Sequence, residues 1–376
     1  MGVSAASAVR VRVDAGGTVE LDAGGAPARR LIPLWLRENC PCPECAHPGG
    51  GQRIVDVTEL PDDVRPAAVS VEGGELAVEW GDGHRSRYPL ADLLASDVGD
   101  DLPPAELWDA ATVLPGPFAA AALAADTAQL RACLESVHRF GCALVHGAPA
   151  RAGALEDVVA LFGHVRETNY GRLFDVRAQA DPANLAYTGR ALGPHTDNPY
   201  RDPTPGLQLL HCISADAGGG ETTLVDGFAV AELLERADPD GYRLLAGTEI
   251  GFRYHAPGVD LRSRFPVLRL DAGGVLAEVR WNTRSCRPFG FEPGLAEAYY
   301  RAYRGFGRLT ADPLLVRRLA LRPGDVIVMD NLRVLHGRTE ISAPGDRHLQ
   351  GCYADRDGLR SRLRTLRRAE HEGGHP

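Results

Sequence analysis

Short alternations of apolar and polar residues recur in the first part of the chain, and a period of two predicts strands rather than helices. From about residue 9 to 95, VRVRVDAGGTVELD and AVSVEGGELAVEW alternate in this way between Gly-rich turns. They predict a small β domain, to which LAVEWGDGHRSRY adds a hairpin with Asp-Gly at its turn. The polar, Pro-containing ASDVGDDLPPAELW then reads as a linker. Helical periodicity follows in AADTAQLRACLESVHRF and LEDVVALFGHV, with the strand-like CALVHG between them. From residue 183 onward strands dominate again: GLQLLHCI, TTLVDG, VLRLDAGGVLAEVRW and LRPGDVIVMD, with FAVAELLERA and LAEAYYRAYRGF as helices packed outside. The expectation is a mainly β protein with flanking helices, its larger part an antiparallel barrel or jelly roll. The domains expected are 1–98, a linker over 99–115, and a catalytic domain over 116–376.

Composition narrows the chemistry. The 376 residues are 44% hydrophobic and 24% charged, an ordinary globular balance. All 41 basic residues are arginine. Without a lysine amine, Schiff-base chemistry and the P-loop lysine are both excluded. Net charge is −9, and the one arginine-rich run, RDGLRSRLRTLRR, reads as the solvated face of a terminal helix, so no nucleic-acid partner is expected. No apolar run approaches the roughly 18 residues of a membrane span, and the N-terminus has no signal-peptide core, which predicts a cytoplasmic protein with no membrane partner. HEGGH at the C-terminus matches a zinc-protease pattern, but its paired glycines oppose the helix that pattern needs.

Three of the eight cysteines, Cys40, Cys42 and Cys45, fall in CPCPEC. In a reducing compartment such clustered thiols are ligands for a structural zinc ion. The fourth ligand is either His47, nearest in sequence, or His84, brought back by the hairpin.

The densest chemistry lies in PHTDNPYR, where His195 and Asp197 occupy positions i and i+2 and so face one side of an extended segment. His336 in LRVLHGR supplies a third ligand from a distant strand, and Arg347 follows it. Two imidazoles and one carboxylate on one face of a metal leave open positions, the arrangement of non-haem Fe(II) oxygenases. An HxD pair alone is weak, but the order HxD, distal His, Arg in a β-rich setting is much more specific.

At these residues the chain resembles the gamma-butyrobetaine dioxygenase branch of the 2-oxoglutarate-dependent oxygenases, near trimethyllysine dioxygenase. The likeness runs through LWLRENCPCPEC, GDGHRSRY, NLAYTGRALGPHTDNP, PGLQLLHCI, VDGF, GDVIVMDNLRVLHGR and RHLQGCYADRD. It implies a double-stranded β-helix (jelly roll) behind a small zinc-binding β domain, with His84 as the fourth zinc ligand. It further implies Fe(II) on His195, Asp197 and His336, and 2-oxoglutarate with its distal carboxylate on Arg347, assisted by Thr222. The family's aromatic cage for a quaternary ammonium matches Tyr170, Phe174, Tyr187 and Tyr353, and its carboxylate contacts match Asn184 and Asn282. Phe174 stands where the family has tryptophan, and Thr283 replaces an asparagine. The activity implied is hydroxylation of gamma-butyrobetaine to L-carnitine with O2, giving succinate and CO2, with ascorbate as a stimulant and a homodimer as the family's frequent state. Alternatives are another trimethylammonium or amino-acid-like substrate (trimethyllysine, a trimethylaminoalkyl phosphonate, a secondary-metabolite precursor) or a non-catalytic zinc-containing interaction protein. Asp197 opposes a halogenase, which needs that ligand position vacated for halide.

Overall fold

The N-terminal alternations form two three-stranded antiparallel sheets in the computed structural model, which describes residues 9–24, 27–94, 102–177, 189–216, 218–287, 290–341 and 347–373. One sheet joins Arg10–Val13, Val19–Asp22 and Arg29–Leu31, the other Pro66–Glu72, Glu75–Trp80 and Arg85–Pro89. Alternation puts Val19, Leu21, Leu76, Val78 and Trp80 into a common core with Leu36 and Tyr88. The polar tips of the aromatics are satisfied there: Tyr88 donates to the Leu36 carbonyl at 2.5 Å and Trp80 Nε1 to Ser86 Oγ at 2.8 Å. These elements belong to the first of two units, Met1–Asp100.

The second unit, Asp101–Pro376, contains two stacked sheets. The larger has the strand order Phe174–Val176, Arg347–Ala354, Leu207–Ala215, Val326–Asp330, Cys142–His146, Phe118–Ala119. Every pair in it is antiparallel except the last, which is parallel. The smaller runs Leu192–His195, Val334–Arg338, Thr222–Asp226, Arg317–Leu319. This is the expected jelly roll. Between the sheets, Leu210, Ile327 and Met329 from one meet Leu224 and Val334 from the other. The outer face of the larger sheet, through Leu207, Leu209 and Val328, is covered by the helices Thr127–Phe140 and Arg356–Gly373. Helices Gly227–Ala237 and Pro293–Leu309 pack beside the smaller sheet over Val225, Leu335 and Val279.

The helices start and stop for local reasons. Asp126 accepts from the Ala128 amide at 2.8 Å and Asp226 from the Phe228 amide at 3.0 Å, each meeting an orphan donor of a first turn. The arginine-rich tail is amphipathic as read, with Leu359, Leu363 and Leu366 buried. Its helix runs to Gly373, so the first histidine of HEGGH lies on it, and His375 lies outside the described residues.

The segment read as a linker over 99–115 behaves differently from residue 102 onward. Trp108, 3% exposed, sits in the core between the sheets and donates through Nε1 to the Phe140 carbonyl at 2.6 Å. Beside it Arg333 and Asp226, each 1% exposed, form a two-pronged pair at 2.9 and 2.7 Å, and Arg333 also holds the carbonyls of Glu106 and Arg139. Buried charges demand such complete pairing. Polar composition marked this stretch as linker because its buried apolar residues, Leu102 and Trp108, are outweighed by Asp, Glu and Pro.

Candidate active site

In the first unit the turn of the Glu75–Trp80 and Arg85–Pro89 hairpin carries His84, whose amide is held by Asp82 Oδ1 at 2.9 Å. Its Nε2 lies 3.3 Å from Cys40 Sγ and 3.6 Å from both Cys42 Sγ and Cys45 Sγ. A tetrahedral zinc with Zn–S near ~2.3 Å and Zn–N near ~2.0 Å spaces sulfur and nitrogen by about 3.5 Å. The donor set therefore fits the ion as it stands, and these four residues would hold it. Arg37 donates to Cys45 Sγ at 3.3 Å and to Asp82 at 3.3 Å, setting a cation against the excess negative charge of three thiolates around a divalent ion. Burial pushes the Cys40 thiol up to about 11, so a cation is what makes a thiolate favourable there. His47 is exposed and turned to its own loop, accepting from the Gly49 amide.

In the second unit the end of the Leu192–His195 strand pairs with the Val334–Arg338 strand so that His195 lies opposite His336. Their rings are 4.4 Å apart. Asp197 Oδ1 is 3.3 Å from His195 Nε2 and 3.9 Å from His336 Nε2, three donors converging on one point. His195 Nδ1 faces the Gly193 carbonyl at 3.0 Å, which directs the proton there and frees Nε2 for a metal. Burial, with His195 next to it, pushes the His336 imidazole down to about 3, leaving it a neutral donor. Burial opposes the Asp197 charge, but hydrogen bonding to His195 and the nearby histidines and Tyr353 hold its carboxyl well below the usual range. Three donor atoms converging within one ligand shell, two imidazole nitrogens and one carboxylate oxygen, fit Fe(II).

Asp197 is clamped from several sides. Its other oxygen, Oδ2, accepts from Gln208 Nε2 at 2.7 Å and from Tyr353 Oη at 2.9 Å. Its amide donates to Asn331 Oδ1 at 2.7 Å, and Asn331 Nδ2 returns a bond to its carbonyl at 2.9 Å.

His195, Asp197, Gln208, His336 and Tyr353 line a cavity of about 380 Å³ between the sheets. Arg347 and Thr222 line it too. Burial and Arg338 lower the Arg347 guanidinium to about 10, so it is still charged at neutral pH. Gly220, at φ +69°, lets the backbone pass close to it: a Cβ there would stand 3.0 Å from Arg347 Nε. A caged cation of this planar form suits a carboxylate.

Aromatic rings make up another wall. Tyr170 and Phe174 have centroids 6.1 Å apart, and Phe174 stacks on Tyr353 at 5.1 Å. Tyr254 lies 5.8 Å from Tyr170 and stacks on Tyr200 at 5.1 Å. Tyr170 and Tyr200 share a hydrogen bond of 3.0 Å, and Tyr200 donates to Asn198 Oδ1 at 2.7 Å. Asn282 also borders the cavity, while Asn184 and Tyr187 lie outside the described residues. Sequence reasoning passed over Tyr200, Tyr254, Gln208 and Asn331. Tyr200 closes the PHTDNPY motif and Gln208 is the one polar residue in GLQLL, both visible signals; Tyr254 had none.

A jelly roll with two imidazoles and a carboxylate at one cavity, and a buried arginine lining the same space, defines an Fe(II)- and 2-oxoglutarate-dependent oxygenase. Comparison with known proteins agrees. Residues 100–353 match the taurine catabolism dioxygenase TauD, TfdA family, and residues 15–94 match the gamma-butyrobetaine hydroxylase-like N-terminal family. The chain belongs to the TauD, TfdA dioxygenase family. It is 39% identical to the gamma-butyrobetaine dioxygenase of Pseudomonas sp. strain AK-1 over 89% of this chain and 90% of that one. Identity to the trimethyllysine dioxygenase of Meyerozyma guilliermondii is 29% over 93% and 94%. Among solved structures, PvcB, an Fe, alpha-ketoglutarate dependent oxygenase from an isonitrile synthetic pathway, matches at 22% identity and TM-score 0.48 over 64% of this chain and 82% of that one. The resemblance read from the motifs is borne out, and the protein is a dioxygenase acting on a small molecule with O2.

Proposed function

We propose that the protein hydroxylates gamma-butyrobetaine at the carbon β to its carboxylate, forming L-carnitine, succinate and CO2. The observation that carries this reading is the aromatic wall beside the His195, Asp197 and His336 cluster. A trimethylammonium group has no hydrogen-bond donor, so only π faces and diffuse negative potential recognise it. Tyr170, Phe174 and Tyr353 provide the faces, extended by Tyr200 and Tyr254.

In this reading His195, Asp197 and His336 hold Fe(II), which together with 2-oxoglutarate and O2 supplies the oxidising power to hydroxylate an unactivated C–H bond. Arg347 and Thr222 anchor the cosubstrate's distal carboxylate. Gln208 and Tyr353 keep Asp197 Oδ2 occupied, so that Oδ1 alone faces the metal position. The rings exclude water and aim one C–H bond of the substrate. The identity of 39% to a gamma-butyrobetaine dioxygenase supports the substrate. A cytoplasmic location and a homodimer belong to the same reading, and the Cys3His site with its free thiols suits a reducing compartment. Among the described residues no helix is long and apolar enough to cross a membrane.

The test is succinate release and product mass with Fe(II), 2-oxoglutarate and a panel of trimethylammonium compounds. Carnitine formed from gamma-butyrobetaine at the highest kcat/KM is expected. No turnover with any member of the panel would sink the reading.

A further inference from the structure

Asn282, matched to the substrate's carboxylate end, has much of its amide engaged elsewhere. Its Nδ2 donates to the Thr196 carbonyl at 3.0 Å, and its Oδ1 accepts from the amides of Arg284 and Ser285 at 3.2 and 3.3 Å. Those bonds form a tight turn over 282–285, tied on its other side by the Arg253 amide to the Ser285 carbonyl at 2.8 Å. Asn282 thus braces the turn between the segment bearing the iron ligands and the Ile250–Ala256 strand, which bears Tyr254.

The residue this turn delivers is Arg284. Its side chain lines the same cavity as Asp197, Tyr200 and Asn282. Of the other arginines lining it, Arg253 pairs with Asp260 at 2.8 and 2.9 Å, Arg338 donates to the Arg190 carbonyl, Arg347 is assigned to the cosubstrate, and Arg287 lies beyond the 282–285 turn. Among the described residues the Arg284 guanidinium has no acceptor. Burial lowers its pKa while the charge of Asp197 raises it, which places it within electrostatic reach of the iron-binding carboxylate. A cation held there by a braced turn, beside an aromatic wall, is complementary to a zwitterion.

We propose that Arg284 is the specificity-determining anchor for the anionic end of the substrate, selecting a trimethylammonium compound that ends in a bare carboxylate. The inference rests on the trimethylammonium reading above and sharpens it. A substrate ending in an α-amino acid, such as trimethyllysine, brings an ammonium next to its carboxylate, and that charge is repelled by the guanidinium.

The experiment compares the iron-loaded wild type with Arg284→Gln and Arg284→Lys on gamma-butyrobetaine, its carboxamide and trimethyllysine, measuring kcat/KM by product mass. The carboxamide matches the acid in size and lacks its charge. Wild type is expected to favour the acid over the carboxamide by about 10- to 100-fold, the effect of one charge-assisted contact. Arg284→Gln should collapse that ratio towards unity and weaken the preference over trimethyllysine, while Arg284→Lys keeps part of both. Because each ratio is taken within one variant, partial unfolding cancels. An unchanged acid-to-carboxamide ratio in Arg284→Gln overturns the role of Arg284 alone. Wild type that hydroxylates none of the three overturns the substrate reading and this inference with it.

Discussion

The Tyr353 hydroxyl donates to Asp197 Oδ2 at 2.9 Å, so one side chain presents a ring face to the cavity and orients a metal-binding carboxylate. Tyr353→Phe separates the two roles. The ring stays, and Gln208 still holds Oδ2. Loss of an outer hydrogen bond of this kind weakens metal binding by about 10- to 100-fold. The Fe(II) concentration for half-maximal turnover should rise accordingly, with a smaller change in KM for the quaternary substrate. The reverse pattern would mean that the hydroxyl does not orient Asp197.

Phe174 crosses directly over Gly351, its partner in the strand register. A Cβ at residue 351 would lie 2.5 Å from the ring. Gly351→Ala must therefore tilt Phe174, at a stability cost of about 1–3 kcal/mol for overpacking. If Phe174 is part of the ammonium site, KM for trimethylammonium substrates rises and KM for 2-oxoglutarate does not. Equal changes in both would argue that the ring only packs.

Zinc content discriminates the two histidines near the cysteine cluster. His84→Ala removes a donor 3.3 Å from Cys40 Sγ and should yield protein without zinc and with an unfolded N-terminal unit. His47→Ala should keep one zinc per chain. Metal analysis after gel filtration decides this, and zinc retained in His84→Ala would show the assignment to be wrong.

Glu278, 7% exposed, bridges Arg269 at 2.5 Å and Arg280 at 3.1 Å. Burial raises its pKa, but the two arginines outweigh that and hold it below its ordinary value of 4.5. A depressed pKa contributes stability above the unfolded value, lost as pH falls through the folded one. Glu278→Gln should then cost about 3 kcal/mol at pH 7. The gap to wild type should shrink steadily below pH 4.5. Urea denaturation at several pH values measures it, and a gap constant with pH would exclude the charge as its origin.

What the chain by itself determined is whatever depends on neighbours in sequence. Apolar runs bounded by Gly or Pro turns marked the Leu207–Ala215 and Val326–Asp330 strands, Asp-Gly marked the hairpin that returns His84, and HxD on extended backbone put His195 and Asp197 on one side. Only the tertiary structure decided which distant residues meet. Pairing of the strand ends sets His336 opposite His195, and the register of Arg347–Ala354 against Leu207–Ala215 brings Tyr353 and Gln208 opposite each other, both bonding to Asp197. Trp108 left a polar stretch for the core, and Asn282 braced a turn that hands the cavity to Arg284. The physical reason is that a one-residue slip in register turns a side chain to the opposite face, and register is set by long-range packing rather than by the residues beside it.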